Sequence, residues 1–121
     1  MRSLVRIADH ALDAQTHVIE VEGQIDLYAA PLLNERVQDV TDQGRPHLIL
    51  DLSGVNFIDS AGLGVLLDAL KRLRATDNAL ALVITDYDVE RLLGITGLDA
   101  TLAIFRSRDE ALAAIAPVPP A

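Results

Sequence analysis

The stretch Val55-Asn56-Phe57-Ile58-Asp59-Ser60-Ala61-Gly62-Leu63-Gly64-Val65-Leu66-Leu67 decides how this chain folds. It follows Leu48-Ile49-Leu50-Asp51-Leu52, an apolar run that reads as a buried strand. It leads into Leu63, Leu66, Leu67, Leu70 and Leu73, which are spaced as one face of a helix. Asp59-Ser60 therefore falls where a loop becomes a helix. Asp and Ser are preferred there because their side-chain oxygens accept from the free N–H groups of the first turn. The same N–H groups and the positive helix end favour an added anion, so a phosphate on Ser60 could be held without unfolding the helix. Read locally, capping alone also accounts for both residues.

Working outward toward the N-terminus, Val18 to Ile25 alternates clearly. Ile19, Val21 and Ile25 share one face and Glu20, Glu22 and Gln24 the other, as in a strand with one wet face or one near a sheet edge. Leu4 to Ala8 reads as a first strand, His10 to Thr16 as a polar connection, and the two strands can pair as a hairpin. Asp26 ends the second strand. Leu27 to Gln43 reads as a helix with Leu32, Leu33, Val37 and Val40 inward and Pro31 in or before its first turn. Gly44 and Pro46 stop it.

Toward the C-terminus, a helix over Ala61 to Thr76 is followed by a turn at Asp77-Asn78 and an apolar strand from Ala79 to Thr85. Gly62 and Gly64 are poor helix formers near that helix's start, and glycine there admits the close approach of another backbone. Asp88 can cap a short helix from Val89 to Gly94. Thr96 to Asp99 reads as a turn and Leu102 to Phe105 as a last strand. Ser107-Arg108-Asp109-Glu110 has capping-box spacing before Ala111 to Ile115. After the opening hairpin, helices and strands alternate, which calls for parallel pairing with helical crossovers. The expected fold is a small α/β sandwich, a mixed and mainly parallel sheet with helices chiefly on one face. One domain over residues 1–116 and a flexible, proline-rich tail over 117–121 complete the expected organisation.

Composition narrows the function. The chain of 121 residues suits one core; half of it is apolar, but only 3% is aromatic, so the core is aliphatic. It has no cysteine, which excludes disulfides and zinc–thiolate sites. No run is long enough to span a bilayer and no signal pattern opens the chain, which points to the cytoplasm and against membrane insertion. The net charge of −8 argues against direct nucleic-acid binding and against affinity for anionic lipid.

Other constellations carry less. No G-x-S-x-G elbow surrounds Ser60, and Gly62-Leu63-Gly64 is neither a Walker loop nor a dinucleotide fingerprint. His10, His17 and His47 lack metal-ligand spacing and read as surface residues. Asp86-Tyr87-Asp88 has the look of a metal-binding pair, but a turn with a helix cap explains it better. Lys71, Arg72 and Arg74 read as a solvated basic face. No catalytic centre, metal or cofactor is expected, so an enzyme is the least supported class.

The segments Asp51-Leu52-Ser53-Gly54-Val55 and Asp59-Ser60-Ala61-Gly62-Leu63-Gly64, with Glu22-Gly23-Gln24-Ile25-Asp26, closely resemble the STAS domain. More narrowly they resemble the bacterial anti-sigma factor antagonists. By order of elements the resemblance spans roughly residues 3–116. Ala61 departs from the pattern, since many members carry a second serine there. The resemblance implies that Ser60 is phosphorylated by a partner kinase that is also the anti-sigma factor, and that a serine phosphatase resets it. It also places the loop holding Asp26 beside the serine loop. The implied partner surface is Gln24, Asp26, Asp59, Ser60, Ala61, Gly62, Leu63 and Gly64. For Asp26 and Asp59, helix capping stands as the alternative role. A non-switching STAS accessory subunit of a stress-signalling or lipid-transport assembly is the alternative function.

Overall fold

A computed structural model of the chain describes residues 5–44 and 47–115. Asp13 makes the first turn: its carboxylate accepts from the Gln15 and Thr16 N–H groups, each at 2.8 Å. That turn joins β1 (Val5–Ala11) to β2 (Thr16–Ile25) as the expected antiparallel hairpin. The first strand runs three residues further than its polarity suggests, because Asp9 and His10 sit on a strand that is mostly exposed. β2 is followed by α1 (Ala29–Asp42), β3 (His47–Ile58), α2 (Ser60–Arg74), β4 (Ala79–Val83) and α3 (Tyr87–Thr96). A 3₁₀ turn over Leu98–Ala100, β5 (Ala103–Phe105) and α4 (Arg108–Ile115) complete the order.

The sheet runs β1-β2-β3-β4-β5; β1 is antiparallel and the other pairings are parallel. β2 is paired on both sides, so its wet residues do not mark an edge. Strand alternation splits the core between two faces. Ile19, Leu48, Leu50, Leu80 and Leu82 meet Leu33, Val37, Leu66, Leu73 and Leu93 from α1, α2 and α3 on one face. Val18, Ile49, Ala81 and Val83 meet Ala111 of α4 on the other. The expected sandwich is thus the observed one, with α4 as the lone helix on the second face.

Several local expectations give way. Leu32 is 53% exposed. The inward stripe of α1 is Ala29, Ala30, Leu33, Val37 and Val40, to which an added Leu32 would be too broad. β3 does not stop at Leu52 but continues to Ile58, and no loop separates it from α2. Two register shifts against β2 explain the difficulty: Glu20 pairs with Asp51 but Glu22 with Gly54, and Gly23 pairs with Val55 but Gln24 with Phe57. Each shift inserts a residue in β3. The buried residues Leu52, Val55 and Ile58 therefore recur at intervals of three, a spacing that reads as loop rather than strand. Asp86, not Asp88, caps α3: its carboxylate accepts from the Val89 N–H at 3.0 Å. The capping box of α4 is half formed. Ser107 Oγ accepts from the Glu110 N–H at 3.1 Å, while Glu110 reaches back to the N–H of Arg106 at 3.2 Å instead of that of Ser107. Leu4, Pro46 and the tail over 117–121 lie outside the described residues.

Candidate functional site

Ser60 stands at the C-terminal end of β3, as the first residue of α2. Asp59 makes the change of direction. It is extended, its carboxylate accepts from the Gly62 N–H at 3.0 Å, and its carbonyl accepts from the Leu63 N–H at 2.9 Å. The capping role expected of Asp59 is therefore realised, while Ser60 caps nothing: it is exposed, and among the described residues its hydroxyl has no hydrogen-bond partner. A helix leaves its first amides without intrahelical acceptors, and Asp59 answers only that of Gly62. The Ser60 and Ala61 N–H groups remain at the exposed end, where an anion on Ser60 would be stabilised.

The neighbouring joint is tied to this one. The Asp59 N–H donates to the Ile25 carbonyl at 3.2 Å, and Ile25 pairs with Ile58 in register. Gln24 is exposed and pairs with Phe57. Asp26 follows directly; its carboxylate accepts from the Tyr28 and Ala29 N–H groups at 3.0 and 2.9 Å, and its carbonyl from that of Ala30 at 2.9 Å. Asp26 thus caps α1, and the structure brings Gln24 and Asp26 to the same end of the sheet as Ser60.

The two glycines of α2 differ. A Cβ on Gly62 would stand 2.6 Å from the Ile25 carbonyl oxygen and 2.8 Å from Ile58 Cγ2, so Gly62 is required by the packing of α2 against β2 and β3. A Cβ on Gly64 would meet nothing within 4 Å. The expectation of a close backbone approach holds within the chain for Gly62 alone. Ala61 and Leu63 are half-buried.

His10 is exposed as expected, while His17 and His47 depart from the surface role expected of them. His17 is buried, with Nε2 2.8 Å from Asp9 Oδ1, and Asp9 Oδ2 accepts from Arg36 at 2.6 Å. His47 Nδ1 accepts from the Ala79 N–H at 3.2 Å. His17 and His47 lie at the start of β2 and β3, and His10 pairs with Val18 near that end. Ser60 lies at the other end of the twelve-residue β3, on the order of 35 Å away. No histidine reaches the serine, so a triad is excluded by distance. Among the described residues no His, Cys, Asp and Glu side chains gather as a metal site, and Asp86 is engaged as a cap. Leu27, Tyr28 and Tyr87, to which the sequence pattern assigns no part in the partner surface, are exposed at the same end of the sheet. Their signal was available: large apolar or aromatic residues at helix starts, outside the inward stripes.

Residues 8–111 match the sequence model of the STAS domain. An anti-sigma-B factor antagonist of Staphylococcus epidermidis is 32% identical over 80 residues, covering 66% of this chain and 74% of that protein. The crystal structure of an anti-sigma factor antagonist from Mycobacterium paratuberculosis superposes with a TM-score of 0.86 at 29% identity, covering 93% of this chain and 95% of that one. The same fold is seen, at 20% identity and a TM-score of 0.71 over 91% of this chain and 99% of the other, in the Bacillus cell fate determinant SpoIIAA in its phosphorylated form.

Proposed function

The chain belongs to the STAS domain family, and on that premise we propose that it is an anti-sigma factor antagonist whose binding is switched at Ser60. Unmodified, it binds an anti-sigma factor that is also a serine kinase, and so frees a sigma factor. The kinase transfers the γ-phosphoryl group of ATP to Ser60 Oγ: the new P–O bond forms as the bond to the ADP leaving group breaks, and the hydroxyl proton passes to a base on the kinase. The modified chain dissociates, and a serine phosphatase resets it by hydrolysis. Gln24, Asp26, Asp59, Ser60, Ala61, Leu63 and Gly64 form the contact surface, and the buried Gly62 sets its shape by holding α2 against β2.

The observation that carries this reading is the idle hydroxyl of Ser60, exposed on a helix start that Asp59 already caps. No other described residue bonds to that oxygen, so modifying it should leave the domain folded. A phosphate adds about 1.5 to 2 negative charges at neutral pH. Next to Asp59, in an interface fitted to a hydroxyl, that charge is costly to desolvate. Gly64 gives second support, since its missing side chain serves no contact within the chain.

The test is intact-protein mass with site mapping after incubation with ATP and candidate anti-sigma factor kinases. A single phosphate on Ser60, absent from Ser60→Ala, is expected. Ser60→Ala should bind the kinase and never be released by ATP, and Ser60→Asp should bind weakly while folding normally. If no candidate modifies the chain and it instead co-purifies stably with a membrane permease, the switch reading is wrong and the accessory-subunit role takes its place.

A further inference from the structure

The strands β2, β3 and β4 run parallel and each leads into a helix at the same rim of the sheet. Each junction carries an aspartate that caps the coming helix: Asp26, Asp59 and Asp86. Ser60 opens the middle helix. Tyr28 stands immediately before α1 on one side, and Tyr87 opens α3 on the other. These are the only tyrosines in the chain, and they are 63% and 74% exposed. Both flanking junctions are joined to the middle one. The Asp59 N–H bonds to Ile25, and Phe57 and Ile58 share a hollow of about 220 Å³ with Asp88 and Val89 of α3. Neither ring belongs to the core, and helix starts favour small polar residues, so local structure requires neither.

The charge of this rim is one-sided. Residues 24–28, 56–64 and 84–88 contain Asp26, Asp59, Asp86 and Asp88 and no Lys, Arg or His. The cations of α2, Lys71, Arg72 and Arg74, lie in its last turn, at the far end. A kinase acting on Ser60 must bring a nucleotide triphosphate, itself a polyanion, to this rim. These three segments supply no cation to offset it, and Arg6 and Arg106, toward the same end of the sheet, are paired with Glu22 and Glu90, so the offsetting cations are those of the partner.

We infer that Tyr28 and Tyr87 are the apolar anchors of the interface around Ser60, seated in two recesses of the anti-sigma factor kinase that are bounded by Lys and Arg. The inference rests on the switch reading above and specifies the partner's surface. Tyrosines are frequent interface hot spots because a ring buries much area with little loss of side-chain freedom. The carboxylates form a polar rim that speeds and orients the encounter. The phosphate acts at the centre of this arrangement, between the anchors, where the interface accommodates a hydroxyl.

The test titrates the full chain, Tyr28→Ala, Tyr87→Ala and Ile95→Ala against the kinase found to phosphorylate Ser60, with a non-hydrolysable ATP analogue, at low and high salt. Ile95 is 71% exposed near the opposite end of α3 and serves as the control. Each tyrosine variant should bind about tenfold or more weakly, and Ile95→Ala within about twofold of wild type. Wild-type affinity should fall as salt rises. Wild-type protein labelled with 3-fluorotyrosine provides a readout independent of any variant's stability: both ¹⁹F resonances should shift when the kinase is added. Unshifted resonances, or tyrosine variants that bind as well as wild type, overturn the anchors; continued phosphorylation of Ser60 in that case leaves the switch standing. Absence of both phosphorylation and binding with every candidate kinase overturns the two together.

Discussion

Gly62 lies so close to the end of β2 that a side chain there would come within 2.6 Å of the Ile25 carbonyl oxygen. The first turn of α2 is thereby pressed onto the strand that carries Gln24 and Asp26. The position of Ser60 follows from that contact, from the Asp59–Ile25 hydrogen bond and from the absence of any loop between β3 and α2.

The two glycines of this turn should separate packing from recognition. Gly62→Ala forces backbone and Ile58 apart and should lower stability by about 1–3 kcal/mol in urea unfolding. Gly64→Ala meets open space and should raise stability by about 0.5–1 kcal/mol through helix propensity. The added methyl should also weaken kinase binding if this face is the contact surface. Unchanged binding by a stabilised Gly64→Ala would remove Gly64 from that surface.

A clasp holds α4 on the second face of the sheet. Arg108 Nε donates to Asp51 Oδ2 at 2.7 Å, and its terminal nitrogen bonds to the Glu20 carboxylate. Asp51 is only 8% exposed, and its other oxygen accepts from the N–H and hydroxyl of Ser53 at 3.0 and 2.6 Å. Arg108→Ala leaves this carboxylate without its cation and should lower stability by about 1–3 kcal/mol, below the figure for a fully buried pair because Arg108 is a third exposed. The loss should be local first: amides of residues 108–115 should exchange faster with solvent, uncovering Val18, Ile49, Ala81 and Val83. Uniform loss of protection across the sheet would contradict a local clasp.

A second clasp should reveal itself in acid. The hydrogen bond from His17, and after it the Arg36 guanidinium, hold the Asp9 carboxyl below its ordinary value of 3.8, against the opposing effect of burial. A carboxyl lowered by folding stabilises the fold above its unfolded value, and that contribution is lost as pH falls through the folded one. The stability gap between wild type and Asp9→Asn should therefore be present at about pH 5 and should close as pH falls below 3.8. Urea unfolding across that range measures it; a gap that persists to the lowest pH would assign the stabilisation to something other than the Asp9 charge.

Much of this molecule could be read from its residues in order. Alternation in Val18–Ile25, the apolar run Leu48–Leu52 and the helical spacing after Leu63 define the mixed sheet and its crossovers. Asp59 and Asp26 were recognisable as helix-start residues from chemistry alone. What escaped was set by geometry between distant residues. The bulges in β3 disguised Ile58 as loop, because pairing with β2, not local periodicity, keeps it in the sheet. His17 looked exposed until β1 and α1 brought Asp9 and Arg36 around it. Arg108 is 57 residues from Asp51, and no local pattern announces their contact. Tyr28 and Tyr87 share a rim with Ser60 only because parallel strands deliver three helix starts to that end of the sheet.

The seamless passage from β3 into α2 also defines what a kinase would meet under the proposed switch. Many serine kinases read a few residues of extended, pliable peptide on either side of the acceptor. Here those residues are already committed, upstream to a sheet and downstream to a helix. Excised as a linear fragment, the same residues would lose both, and with them the orientation of the hydroxyl. Under the proposed switch the kinase would recognise a folded shape, so a linear peptide spanning Ser60 should be a far poorer acceptor than the folded chain.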